Sequence, residues 1–407
     1  MKRLLNTFLL LCPTIIFAQA YQLNLQGTRQ IGMGSTGIAD PVSGAALVFN
    51  PGSSSFTKDN SITFSISPAI SKGTFTDANS GKVSNSDNPI VTPFGASVLL
   101  GNPNSRLRYG LAVYTPFGST MKWEDDATVN FDVRKISLIS IVAQPTISYK
   151  VTDKLGVGVG FVYGYGHVDI EKDLPVNFED GSYGSAKITS AANAYGVNAG
   201  IYYAFSKQLS AGITYRSALK MKTTKNGKVE FDVPSSLESN FPDQKIKAEL
   251  PLPEIWGIGF SYKPDDKLTI NLDGTMSNWK PYDTIFVHYQ SASVAGETET
   301  EMVRNYKRGY SVRLGAEYKI TPKIFGRAGL YYSKTPIPSE YVAADVPDAN
   351  RLNPSVGASY HVSNKFILEA AFLYEHISRK SNNVVTNIDG TYKFNLYFPS
   401  IGFTYKL

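Results

Sequence analysis

Residues 209–222 sort by parity: Leu209, Ala211, Ile213, Tyr215, Leu219 and Met221 form one set, Ser210, Gly212, Thr214, Arg216, Lys220 and Lys222 the other. Successive side chains on a strand point to opposite faces, so the pattern predicts a strand with one apolar and one polar face. Residues 268–277 repeat it, with Leu268, Ile270, Leu272 and Met276 opposing Thr269, Asn271, Asp273, Thr275 and Ser277. In residues 310–319, Tyr310, Val312, Leu314, Ala316 and Tyr318 oppose Ser311, Arg313, Glu317 and Lys319. Read this way, lipid lies outside, and water or protein lies inside.

The chain opens with Lys2 and Arg3, an apolar run Leu4–Phe17 and the small-residue site Ala18-Gln19-Ala20, which reads as a cleavable export signal. That run is too short for a stop-transfer helix. No later segment reaches about 18 consecutive apolar residues, which excludes a helical membrane protein. Cys12, the one cysteine, falls inside the signal, so the exported part is expected to carry neither a disulfide nor a thiol nucleophile. A bulky Leu11 precedes Cys12 where a lipoprotein signal has a small residue. A composition of 12% aromatic against 18% charged residues, with 25 Tyr and 34 Gly, suits barrel strands with aromatic girdles better than a soluble α/β enzyme.

The connections constrain the fold independently. Short turns are expected near 101–106, 152–154, 206–208, 263–267, 320–323 and 363–365. Long connections are expected near 72–90, 118–135, 173–190, 223–249, 281–305, 334–352 and 379–391. Outer-membrane barrels join strands by short periplasmic turns and long external loops, so this alternation implies an all-β transmembrane antiparallel barrel of about 14 strands. Phe403, Tyr405 and Leu407 share one face of the last strand. The expected division is a signal peptide (1–20), an N-terminal hatch (21–57) and the barrel (58–407).

A barrel of this size is too wide for its own side chains to fill, so its bore holds water or a plug. Residues 21–57, rich in small residues and without a helical or strand period, are the expected plug. On the fifth strand Gly156, Gly158, Gly160, Gly164 and Gly166 alternate with Leu155, Val157, Val159, Phe161, Tyr163 and Tyr165. Such an inner face either leaves room for the plug or relieves strain in a coiled strand. Asp40 and Arg216 are candidates for an ion pair between plug and wall.

Several segments taken together carry a family resemblance. They are Tyr21-Gln22-Leu23-Asn24, Ile38-Ala39-Asp40, Asn50-Pro51-Gly52, Thr115-Pro116-Phe117-Gly118, Thr214-Tyr215-Arg216-Ser217, Leu252-Pro253-Glu254-Ile255-Trp256, Trp279, and Pro347-Asp348-Ala349-Asn350-Arg351. In order and spacing the chain resembles the FadL family of outer-membrane long-chain fatty acid transporters. The resemblance implies a fourteen-stranded barrel with a lumenal hatch in the outer membrane of a Gram-negative bacterium. It also implies passive uptake of long-chain fatty acids or similar hydrophobic molecules, with lateral exit beside a kink in strand 3. That kink falls on Pro116, Phe117 and Gly118; without it, the same residues end strand 3 at an external loop.

The resemblance places Tyr21 beside the bound lipid and Lys172 where the family holds the carboxylate with a basic residue. Lysine in place of arginine keeps the charge and loses the bidentate fork; alternatively, Lys172 is a rim lysine. Met302 falls at the family's second basic position, and Arg304 is the nearest cation. Asn50, Pro51 and Gly52 match the family's Asn-Pro-Ala signature, either as a hatch-gating element or as a plain turn. The connection at 173–190 is short for the family.

The expected partners are a long-chain fatty acid or other hydrophobic small molecule, with outer-membrane lipid and lipopolysaccharide around a monomer. No cofactor, metal or nucleic acid is expected. The net charge of +6 suits carboxylates and phosphate-rich head groups equally. Gly32-Met33-Gly34-Ser35-Thr36-Gly37 matches a dinucleotide fingerprint, but no strand precedes it and no long helix follows. His167, His288, His361 and His376 lack metal spacing. An enzyme is not expected. Import of aromatic hydrocarbons, or a non-transporting barrel scaffold of a secretion system, are the alternative roles.

Overall fold

The computed structural model describes residues 20–102, 105–224 and 226–407. The expected export signal, apart from Ala20, lies outside the described residues. Fourteen antiparallel strands close into one barrel. Strand 1 is Ser61–Ile66 continuing as Ile70–Asp77, strand 2 is Val83–Asn85 and Phe94–Leu100, and strand 3 is Leu107–Tyr114 and Gly118–Lys122. Strands 4, 5 and 6 are Lys135–Lys150, Leu155–Asn177 and Tyr183–Ala204. Strand 7 comprises Leu209–Arg216, Leu219–Thr223 and Lys228–Asp232; strand 8 comprises Gln244–Leu252 and Glu254–Tyr262. Strand 9 is Leu268–Asn278 with Thr284–Tyr289, and strand 10 is Glu299–Val303 with Arg308–Lys319. Strands 11 to 14 are Ile324–Lys334, Arg351–His361, Phe366–Asn382 and Asp389–Lys406. Strand 1 pairs with strand 14, Ser61 opposite Lys406 and Ile70 opposite Tyr397, so the seam has no free edge.

The outward faces carry Val159, Phe161, Ile213, Ile258, Leu272, Leu314, Val356 and Ile401, all exposed to what is lipid in the membrane. Two expectations need correction. Several of the long connections contain strand: strands 5 and 6 run to Asn177 and start at Tyr183. In the outer part of strand 5 the outward positions His167, Asp169 and Glu171 are polar and the opposite face carries Val168 and Ile170, so the apolar-outward alternation that marks membrane-crossing residues is absent. Leu219 and Met221 do not continue the lipid face of strand 7. They are buried, while Lys220 and Lys222 are exposed. Ser217 and Ala218 leave the ladder, and this irregularity reverses the side-chain parity beyond it.

The chain from Ala20 to Thr57 fills the bore with short helices α1 (Thr28–Gly32) and α2 (Ala46–Phe49) and a 3-10 turn (Ser53–Phe56). Its glycines meet wall glycines directly. A Cβ at Gly329 would come within 1.9 Å of Gly34 N, and one at Gly158 within 2.5 Å of Pro51 O. The glycine face of strand 5 therefore makes room for the hatch at Gly156 and Gly158. Gly164 and Gly166 instead face Leu219 and Met221.

Candidate functional site

Strand 3 breaks where the sequence places Pro116, Phe117 and Gly118. From Tyr114 opposite Val142 to Gly118 opposite Ile139, strand 3 advances one residue more than strand 4, which is a bulge. Strand 2 pairs with strand 3 as far as Gly95 opposite Tyr114, with a last bond from Thr115 N to Phe94 O at 3.1 Å. Beyond that point strand 2 stays with strand 1, through Ala69 N to Val91 O at 2.7 Å, and meets the strand 3 side again only near Asp87 and Lys122. Pro89 and Pro93 on one side and Pro116 on the other have no N–H to offer a ladder. A window in the wall results, bounded by residues 88–93 and 116–121.

The edge of strand 3 at this window pairs with the hatch instead. Leu23 N donates to Pro116 O at 2.8 Å, Gly118 N donates to Tyr21 O at 3.0 Å, and Gln22 bridges Phe117. Ser140 holds Phe117 from strand 4: its Oγ donates to Phe117 O at 2.8 Å and accepts from Phe117 N at 3.1 Å.

Two cavities flank the start of the hatch. The first, about 380 Å³, is lined by Ala20 and Gln22–Leu25, by window residues from Pro89 to Met121, and by Phe394, Leu396 and Phe398 across the lumen. The second, about 90 Å³, lies among the outer halves of strands 4 to 10 and is lined by Tyr21, Ile170, Met221, Leu250, Ile285, Met302 and Arg304. Leu138, Ile139 and Asp345 belong to both. Tyr21 faces the second cavity while its neighbours Ala20 and Gln22 face the first, so this side chain stands at their partition. Trp279 and Tyr282 pack against it at ring distances of 6.2 and 5.8 Å.

Sequence reasoning paired a ligand carboxylate with Lys172 and Arg304. Arg304 lines the second cavity, but it already holds a carboxylate: its Nη2 lies 3.0 Å from Asp345 Oδ2. The Tyr21 hydroxyl donates to the same oxygen at 2.5 Å. Lys172, at the outer end of strand 5, lies beyond the residues that line the second cavity; its charge is felt at Asp132. Asp345 was missed because it sits in the connection expected near 334–352, which was taken to lie outside and instead folds inward with Ile337, Val342, Ala344 and Ala349 buried. Its signal was an acid inside the apolar run Val342-Ala343-Ala344-Asp345-Val346.

The rest of the hatch is tied down. Arg29 Nη1 lies 2.8 Å from Asp40 and Nη2 lies 2.9 Å from Glu317 on strand 10, while Lys263 reaches Asp40 at 2.9 Å. The expected Asp40–Arg216 pair is not formed, because Asp40 is taken by Arg29 and Lys263; Arg216 instead donates to Val48 O at 3.2 Å. Although burial works against its charge, Arg29 and then Lys263 hold the Asp40 carboxyl well below the usual carboxylate range. Asn50 Nδ2 donates to Ile38 O and to Ile201 O of strand 6, and Asn50 Oδ1 accepts from Gly52 N. A Cβ at Gly52 would lie 2.5 Å from Gly200 O. Glycine at 52 therefore serves close approach to the wall, and the geometry of Asn50-Pro51-Gly52 opposes a hinge there.

Gly32–Gly37, the dinucleotide-like run, packs on wall residues Gly357, Gly329 and Gly315. The histidines are scattered: His167 meets Asp169, His288 meets Glu299, His361 stacks on Phe325 and His376 meets Asn395. Among the described residues no group of three or more His, Cys, Asp or Glu is placed to hold a metal ion.

A lipid-facing barrel with a lumenal hatch and apolar cavities defines a channel-type protein of the outer membrane. The chain belongs to the outer membrane protein transport protein family (OMPP1/FadL/TodX), whose model matches residues 9–406. It is 24% identical over 207 residues to a long-chain fatty acid transport protein of Salmonella typhi, a match covering 49% of this chain and 46% of that protein. The matched part thus spans about half of that relative's length. In fold it is similar to a FadL homologue of Pseudomonas aeruginosa, with a TM-score of 0.81 and 16% identity, covering 95% of this chain and 100% of that one. It is also similar to the toluene transporter TodX of Pseudomonas putida, with a TM-score of 0.75 and 14% identity, covering 95% and 99%.

Proposed function

We propose that the chain takes up hydrophobic small molecules by passive diffusion, capturing them in the cavity behind Tyr21 and releasing them sideways through the window between strands 2 and 3. The observation that carries this is the first cavity, bounded by the start of the hatch on one side and by the window on the other. Its volume lies within the ordinary range for small-molecule sites. Transfer of a tail from water into such a space gains about 0.8 kcal/mol per buried CH₂. The window meets lipid, so a released molecule never crosses the polar base of the hatch.

Long-chain fatty acids are one substrate class, with Tyr21 against the tail and Lys172 or Arg304 near the head. Neutral hydrocarbons are the second, favoured by the ion pair that already occupies Arg304. Both readings set the chain apart from a non-transporting scaffold, for which an apolar lumenal cavity has no use. The experiment is lipid extraction and native mass spectrometry of the detergent-purified barrel, followed by binding of radiolabelled oleate and toluene. Saturable binding of either supports uptake. A lumen that copurifies with nothing and binds neither contradicts it.

A further inference from the structure

Arg304 lines the second cavity, and its partner Asp345 lines both. Arg304 faces Asp345 through both terminal nitrogens, at 3.0 Å and 3.4 Å, with side chains 11% and 2% exposed. The carboxylate is held from several sides. Tyr21 donates to it, and Ser119 Oγ donates to the Asp345 carbonyl at 3.1 Å. The preceding residue is fixed by Ala344 N to Asp132 Oδ2 at 2.7 Å and by Trp123 Nε1 to Ala344 O at 3.2 Å. The next buried cation, Arg351, is likewise matched by Asp348 and Glu375.

We propose that Asp345 is a specificity-determining residue: a built-in carboxylate on Arg304 that takes the place of a ligand's acidic head, so that the cavities favour neutral hydrophobic molecules over their carboxylate counterparts. The inference rests on the uptake reading above. A carboxylate entering beside a satisfied pair adds a third charge in a dry site, where an uncompensated ion costs far more than an uncharged polar head. An alcohol or ester head loses at most a hydrogen bond or two with water. The pair is bidentate, so its replacement by an incoming acid gives no more than it removes.

The test uses the full-length purified barrel at pH 8, with oleate and oleyl alcohol as probes of equal tail length. Correct folding is checked by the heat-dependent mobility of the barrel on gels. Wild type is expected to bind oleyl alcohol about tenfold more tightly than oleate. Asp345→Asn frees Arg304 and is expected to raise the affinity for oleate relative to oleyl alcohol about tenfold. Asp345→Glu keeps the internal acid and retains the wild-type order, so the inference remains testable if the asparagine variant does not fold. Wild type that binds oleate as tightly as oleyl alcohol, or an asparagine variant with an unchanged ratio, overturns the inference and leaves uptake standing. Wild type that binds neither overturns both.

Discussion

Residues 27–57 of the hatch meet the wall through buried ion pairs and glycine-to-glycine contacts, whereas residues 20–25 meet it at a broken strand, an inward-folded loop and two cavities. The first region has nowhere to go: Gly34 already touches Leu314, Leu330 and Gly329. The second borders empty space on both sides. Under the uptake proposed above, the difference teaches that a plugged barrel need not expel its plug in order to pass a small molecule. On that proposal only the first few residues have to shift, and these are the ones that pair with the edge of the window.

The comparison is broken most strongly through the ion pairs. Arg29→Ala leaves Asp40 with the Lys263 cation and a bond from Asn271, and takes one of two cations from Glu317; removing one partner of a buried pair costs about 3–5 kcal/mol. Thermal unfolding followed by circular dichroism is expected to fall accordingly, with ion leakage in planar bilayers. Hydrophobic ligand binding by the protein that remains folded is expected to stay within about twofold. The same region sets the acid response. The carboxyl of Asp40 is depressed in the fold, so its contribution is fully present above the ordinary carboxylate value near 4 and is lost as pH falls below that. A melting temperature flat from about pH 8 to 5 and declining below about 4 is expected.

At the other end, Tyr21→Ala removes a buried ring and its bond to Asp345, at a cost of about 3 kcal/mol, and merges the two cavities. Proteoliposome uptake of a neutral dye is expected to rise severalfold while ion leakage stays low. Leakage as large as that of Arg29→Ala erases the distinction between the regions. Ser140→Ala removes both side-chain bonds to Phe117 and leaves the backbone bond from Ser140 N to Phe117 O, at about 1–2 kcal/mol, read as faster amide exchange at residues 116–118 with the hatch body unchanged. Lys172→Ala has the smallest effect, less than about twofold on oleate binding, because the residue lies beyond the cavity lining.

The wall was legible where one face meets lipid. Strands 9 and 10 follow the parity of residues 268–277 and 310–319, and the break at Pro116 shows in the missing N–H. Strand 7 was legible only to Arg216, because the irregularity at Ser217-Ala218 reverses which face is which while the alternation in the sequence runs on unbroken. The site was half legible. Tyr21 and Arg304 both stand at the second cavity, but the residue that joins them, Asp345, is far away in sequence and lies in a segment expected outside. Asp40 was singled out with the wrong partner, since many cations can reach the lumen and only the fold selects Arg29 and Lys263.

The most direct test of this account is hydrogen–deuterium exchange of the purified barrel with and without saturating oleyl alcohol. The amides of residues 20–25 and 116–118 are expected to change their protection, while those of 28–56 stay as they are. Loss of protection along the whole of 28–56 on binding would mean that the hatch moves as a unit, contrary to the account.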